Sequence, residues 1–199
     1  KARSLGAKIV TGKAVQKILA DQAKGQADGV LLADGTEVFC DYVVPACDMS
    51  VTFGRLLPRE KMGSLLRQMY EDRRAYPVYN TFQTAMAVDS PENPLETETI
   101  WNCPELIFTK GMSERVTVKS YAYEPGFAPA GKQLIQTLQG GSEEVYSYWI
   151  RLYQDPVAYQ RQKSLLAERT REMLEEHFPA LRGRLRVLDA WTPMTYTRY

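Results

Sequence analysis

The 199 residues include 44% hydrophobic side chains, and 25 basic against 24 acidic residues leave a formal charge of +1 at pH 7. Such a balance offers no basic footprint for a nucleic acid, while the length suffices for one sizeable core or for a core with a small appendage. No apolar run approaches the roughly 20 residues that span a bilayer, and no signal peptide is visible.

In chain order, the runs Val30 to Ala33 and Glu37 to Phe39 flank Asp34-Gly35, a pair that tolerates positive φ and so predicts an antiparallel hairpin with a type I′ turn. Asp41-Tyr42-Val43-Val44 then reads as a short strand entering a buried sheet, stopping at the small residues Pro45, Ala46 and Cys47. Small side chains at the carboxyl end of such a strand let backbone approach a ligand. Pattern alone reads this as an ordinary hairpin feeding an ordinary core strand.

Met62, Leu65, Leu66, Met69 and Tyr70 recur at helical spacing, predicting an amphipathic helix from near Pro58 whose methionines fill a core. Arg55, Arg59, Lys61, Arg67, Arg73 and Arg74 make this region basic, which reads as a solvated helix face; peripheral contact with a membrane surface is the alternative. Period-two alternation predicts strands over Val78 to Val88 and Arg115 to Tyr123, separated by a loop at Asp89 to Pro94. Shorter strands are expected around Thr99 to Trp101, Leu106 to Thr109, Gln133 to Leu138 and Leu185 to Leu188. Ser142 before Glu143 and Glu144 caps a helix through Tyr153, and Asp155-Pro156 opens a longer one that Pro179 terminates. The fold class is α+β: a mixed, largely antiparallel sheet with flanking helices over 49–199, preceded over 1–48 by a β segment of a dinucleotide-binding domain.

Few residues advertise chemistry of their own. His177, the single histidine, sits near a helix end where it complements the carboxyl-terminal dipole. Cys40, Cys47 and Cys103 are too few and wrongly spaced for a zinc site or a disulfide framework, which fits a reducing cytoplasm, and Cys47 has no histidine nearby in sequence to make it a nucleophile. No metal ligand and no catalytic residue is assigned.

The stretch from Gly6 to Asp48, together with Ser120-Tyr121-Ala122-Tyr123-Glu124-Pro125-Gly126 through Lys132, Phe178-Pro179-Ala180-Leu181 and Trp191-Thr192-Pro193-Met194 through Tyr199, resembles the FAD-dependent phytoene desaturase-like oxidoreductases. Their relatives are carotenoid isomerases, retinol saturases and, more distantly, amine oxidases. That family grips the FAD pyrophosphate with an amino-terminal Gly-x-Gly-x-x-Gly, which these residues lack. The resemblance therefore implies a central slice of a larger cytoplasmic flavoprotein dehydrogenase: a substrate-binding domain partnered by the remaining FAD domain of the same chain, itself holding FAD weakly. It places the backbone at Val15 against adenine and Ala46, Cys47 and Asp48 near the adenosine or pyrophosphate, with Cys47 departing from the commonest small residue. With the flavin carrying the redox step, aromatic walls suffice for an apolar, carotenoid- or retinoid-like substrate that is desaturated, saturated or isomerised. Tyr79, Phe82, Tyr121, Tyr123, Trp149, Trp191 and Tyr196 are the candidates, with Trp191 and Tyr196 favoured by their place beside the Thr-Pro motif. An amine or amino-acid oxidase, or a non-catalytic module that keeps the scaffold, are the alternatives.

Overall fold

The computed structural model describes residues 2–21, 25–77, 79–89, 95–124 and 126–197. The expected strand start at Val78, the loop over 90–94, Pro125 and the terminal Arg198 and Tyr199 lie outside them. The protein is α+β, and it divides into two compact units, Lys1–Tyr76 and Pro77–Tyr199. This break in packing is a separate quantity from the functional division expected at residue 48.

The first unit is an antiparallel meander of β1 (Val15–Asp21), β2 (Gln26–Leu32) and β3 (Glu37–Phe39), followed by short helices. Ile18 opposes Val30, and Val30 opposes Val38, so one face is apolar across all three strands. Gly29 is what lets β3 close: its φ is 154°, and a side chain there would run into the carbonyl of Val38.

The β2–β3 hairpin forms as expected, but its turn differs. Gly35 N–H donates to Leu32 O at 3.0 Å and Leu32 N–H to Thr36 O at 2.8 Å, and Gly35 has φ 85° while no described non-glycine residue has positive φ. That is a three-residue loop with glycine in the left-handed position, not a two-residue type I′ turn. Asp34 instead keeps a negative φ and uses its carboxylate to accept from Thr36 N–H at 3.1 Å and to pair with Lys13 at 2.5 Å.

Asp41 to Val44 is not a strand. No described strand lies beside it to complete a ladder, and Tyr42 and Val44 are each 87% exposed. The chain then enters α1 (Met49–Val51), capped by Asp48, and passes into a single π turn over Thr52–Leu56. The expected helix from Pro58 begins later: Arg59–Lys61 is a 3-10 turn, Met62 and Gly63 are extended, and α2 spans Ser64–Glu71. Met62 is buried while Met69 is exposed, so only one of the two packs as anticipated.

The second unit is a five-stranded antiparallel sheet ordered β5-β6-β7-β4-β8, with β4 (Asn80–Val88), β5 (Glu98–Asn102), β6 (Met112–Ser120), β7 (Gln133–Gly141) and β8 (Leu185–Trp191). β6 ends at Ser120, where Tyr121 to Tyr123 turn away, rather than running on to Tyr123. Leu106 to Thr109 is not a strand: Pro104 at the first position starts a 3-10 turn through Leu106 that buries Leu106 and leaves Ile107 exposed. α3 (Glu143–Tyr153) and α4 (Pro156–His177) begin at the expected caps, with Asp155 accepting from Val157 and Ala158 N–H at 3.0 Å each.

Strand alternation sorts the sheet into two faces. Phe82, Thr84, Met86 and Val88 share one with Thr137, Ile135, Val116 and Val118. The helices seal it, in one cluster around Met86, Ile135, Leu174 and Leu181 and another around Phe82, Trp149, Tyr159 and Met194. Within this apolar layer the hydroxyls of Thr84 and Thr137, opposite each other on β4 and β7, hydrogen-bond at 2.6 Å. The other face carries Gln83, Gln136, Leu138, Leu134, Thr117, Ile100 and Trp191, which range from half-buried to exposed.

Candidate functional site

Strands β1 and β2 of the first unit and the segment after β3 line an open-sided cavity of about 580 Å³. Ala14, Val15, Ile18 and Val30 supply one wall, Val43 to Cys47 a second, and Val51, Arg55 and Leu56 the third. β-branched residues favour the pleated hairpin and present short, stiff apolar side chains to the space, while Ala14 and Ala46 leave room for backbone approach. Val15, Ala46 and Cys47, all singled out in the sequence, thus meet in one place.

Asp48, next in the chain, is not among the lining residues and has a local task. Its carboxylate accepts from Ser50 N–H at 2.7 Å and from the Ser50 hydroxyl, fixing the start of α1. Those bonds, the hydroxyl's first, hold its carboxyl below the ordinary value, with a smaller contribution from Tyr70. Burial and then the Asp48 charge raise the Tyr70 phenol, and the Arg73 guanidinium lies 5.5 Å from the Tyr70 ring centre. Cys47 Sγ is 3.3 Å from the hydroxyl of Thr52, which itself donates to Asp48 O at 3.2 Å. The helix start that supplies Val51 to the third wall is therefore braced, and Arg55 is the cation on that wall.

The seven aromatic candidates of the second unit do not converge. Phe82 and Trp149 stack at 6.1 Å inside the sealed core, where they are 3% and 0% exposed and present nothing to a reactant. Tyr121 lies on the opposite face: its hydroxyl donates to Gln136 Oε1 at 2.6 Å, and its ring stacks on Phe127 at 4.8 Å and lies near Tyr123 at 6.0 Å. Trp191 opposes Gln83 on that same face. Gln136 Nε2 donates to Gln83 Oε1 at 2.7 Å, so the amides satisfy one another amid apolar neighbours. Tyr79 lies over the backbone of Gly140, where any side chain would displace it, and remains largely exposed, as does Tyr123; Tyr196, in α5 (Pro193–Tyr196), is about half exposed.

Sequence reasoning passed over a third grouping. Cys103, Glu105 and His177 come together in the second unit, each offering a ligand atom within 4.8 Å of the other two. The signal was a Cys-x-Glu pair and one distant histidine, which no spacing rule links.

The geometry thus defines an α+β chain whose first unit builds an apolar cavity on a hairpin and whose second unit seals one face of an antiparallel sheet. No family model matches the chain. A stretch of 55 residues, 28% of the chain, is 40% identical to a phytoene desaturase of Fusarium fujikuroi, and an equal match is made to a phytoene desaturase of Gibberella fujikuroi. The matched stretch spans 10% of the length of each of those proteins.

Proposed function

We propose that the chain is a piece of an FAD-dependent oxidoreductase of carotenoid-desaturase type, in which the first unit contributes to holding the adenosine end of FAD and the second offers a wall for an extended apolar substrate. The observation that carries this reading is the meeting of Val15, Ala46 and Cys47 around one apolar cavity. Val15 is remote in sequence from the adjacent pair Ala46-Cys47, and the fold brings them to one place. The short match to phytoene desaturases points the same way.

The residues present suit the group. A volume of about 580 Å³ falls within the ~300–1,000 Å³ of ligand sites. Val15 and Val30 would grip a flat base by apolar contact, Ala14 and Ala46 would let backbone come close, and Arg55 would face a phosphate. No glycine-rich phosphate loop accompanies them, so the grip is partial.

When bound, FAD supplies the two-electron redox chemistry, and the protein needs no acid–base constellation of its own. What these residues do is bind and exclude water. On the unsealed sheet face, Leu134, Leu138, Tyr121 and Trp191 make apolar ground, while the mutual bond of Gln83 and Gln136 leaves few amide donors seeking a polar partner. The same face also carries Glu98, Lys119, Arg186 and Asp189, which bound this apolar ground with charge of both signs. The exposed apolar run Tyr42 to Val44 also fits this reading, as a strand that pairs within a longer protein.

Titration of FAD into the isotope-labelled chain, followed by amide chemical shifts, tests the assignment. Weak binding is expected, with shifts centred on Val15, Ala46 and Cys47 that vanish in Val15→Arg. Shifts that avoid the cavity would sink the adenosine assignment, and submicromolar affinity would sink the view that most of the grip lies elsewhere.

A further inference from the structure

We propose that Cys103, Glu105 and His177 form a binding site for one divalent transition-metal ion of the zinc class, independent of any flavin. The ligand atoms of the three lie within 4.8 Å of one another. They come from two elements remote in sequence: the turn that follows β5, and the last residue of α4.

Local structure prepares each donor. Cys103 is fully buried and its backbone is held at both ends, N–H donating to Glu114 O at 2.6 Å and carbonyl accepting from Leu106 N–H at 3.1 Å. The 3-10 turn over Pro104–Leu106 then brings Glu105 round to the cysteine side, with its carboxylate in solvent reach. His177 Nδ1 lies 3.0 Å from the backbone oxygen of Met173. A carbonyl can only accept, so Nδ1 carries the proton and Nε2 keeps the lone pair. This is the arrangement by which metal-binding histidines are usually oriented. Trp101 stacks on the imidazole at 5.4 Å with planes 20° apart, which restrains the ring.

The donor set selects the ion. One thiolate, one imidazole and one carboxylate form a borderline-soft trio suited to Zn(II) or Co(II), whereas Mg(II) and Ca(II) favour all-oxygen shells. Bond lengths of about 2.0–2.3 Å put tetrahedral ligand atoms roughly 3.3–3.8 Å apart, so closure requires a shift of about 1 Å. The exposed Glu105 side chain has the rotamer freedom to supply it. Three protein ligands leave the fourth position to water. On binding, the Cys103 thiol gives its proton to solvent and a sulfur–metal bond forms, with no change of oxidation state. The ion would clip the turn after β5 to the end of α4.

Co(II) chloride titrated into the 199-residue chain under reducing conditions tests this, in a Cys40→Ser/Cys47→Ser background that leaves Cys103 as the sole thiol. One equivalent should produce a near-ultraviolet thiolate-to-cobalt charge-transfer band together with visible bands of tetrahedral intensity, all displaced by Zn(II). His177→Gln and Glu105→Gln change exposed side chains, so circular dichroism should stay unchanged while each weakens affinity by about tenfold or more. Zn(II) should also raise the thermal midpoint of the background protein and leave that of His177→Gln unmoved. Absence of the charge-transfer band overturns the site, as does affinity that survives either substitution.

Discussion

The two units use similar strands to different effect. Among the described residues, the buried apolar side chains of Lys1–Tyr76 are Ile18, Leu56 and Met62, each still 5–8% exposed, and Phe39, Tyr42 and Val44 stand 70%, 87% and 87% exposed. Pro77–Tyr199 lays two helices across its sheet and closes a layer in which Met86, Trp149, Leu174 and Leu181 lose all contact with solvent. An apolar, β-branched run is thus only an offer of a buried face, and whether it is taken up depends on a covering element. Where the cover exists, the structure gains stability; where it does not, apolar surface is left for a ligand or a further piece of protein.

Trp149→Ala should give the largest loss. Its ring meets Phe82, Phe108, Tyr148 and Tyr159 at centroid distances of 5.6–6.1 Å, and its removal should cost about 4 kcal/mol in urea unfolding. Val44→Ala in the first unit should stay within about 0.5 kcal/mol. Equal losses at the two sites would break the contrast between the units.

Gly29→Ala should cost about 3 kcal/mol, because the new methyl meets the Val38 carbonyl from a left-handed backbone. The protection of β2 and β3 amides against hydrogen exchange is the readout, and unchanged protection would mean that the third strand contributes little.

Cys103 sharpens the comparison through pH. Burial, and secondarily the Glu105 charge, pushes its thiol from 9.0 up to about 11. Because the unfolded chain releases this proton first, the contribution to stability is complete below pH 9 and fades as pH rises towards 11, by roughly 3 kcal/mol at most. With a chelator present, the stability gap between the protein and Cys103→Ala should narrow across that range. A gap that stays constant would contradict the shift. The exposed Cys40 and Cys47 should react with a thiol reagent in the native state while Cys103 waits for unfolding.

Smaller than the losses at Trp149, Gly29 and Cys103 is that of a cap. Asp155→Ala removes an acceptor for two amides at the start of α4 and should cost about 1 kcal/mol by urea midpoint, with β1 to β3 unaffected.

Much of the second unit was legible because its signals are local. Alternation located β4 and most of β6, and Ser142 and Asp155 marked their helices through side chains that reach amides two or three residues away. Reading failed where a distant partner decides. Asp41 to Val44 has the composition of a strand without a neighbouring strand, and Leu106 to Thr109 has apolar residues that Pro104 winds into a turn. At Asp34-Gly35 the dipeptide gave the hairpin but not the loop length, which the pairing of Leu32 with Thr36 sets. In the candidate site, the small and β-branched residues around Val15 and Ala46 were visible in the sequence; that they share a cavity depends on how the hairpin folds beside residues 43–47. The two faces of the sheet were not separable either, so Phe82 and Tyr121 read alike until pairing put them on opposite sides.

One small feature has a large bearing on how the second sheet assembles. Slide β7 past β4 by a single residue, and the hydroxyls of Thr84 and Thr137 part company inside hydrocarbon, each stranded at a cost of about 1–3 kcal/mol. The neighbouring valines and leucines would tolerate many alignments, since greasy contacts lack direction. The threonine couple acts as a keyway, admitting one alignment of the central strands and rejecting the near misses.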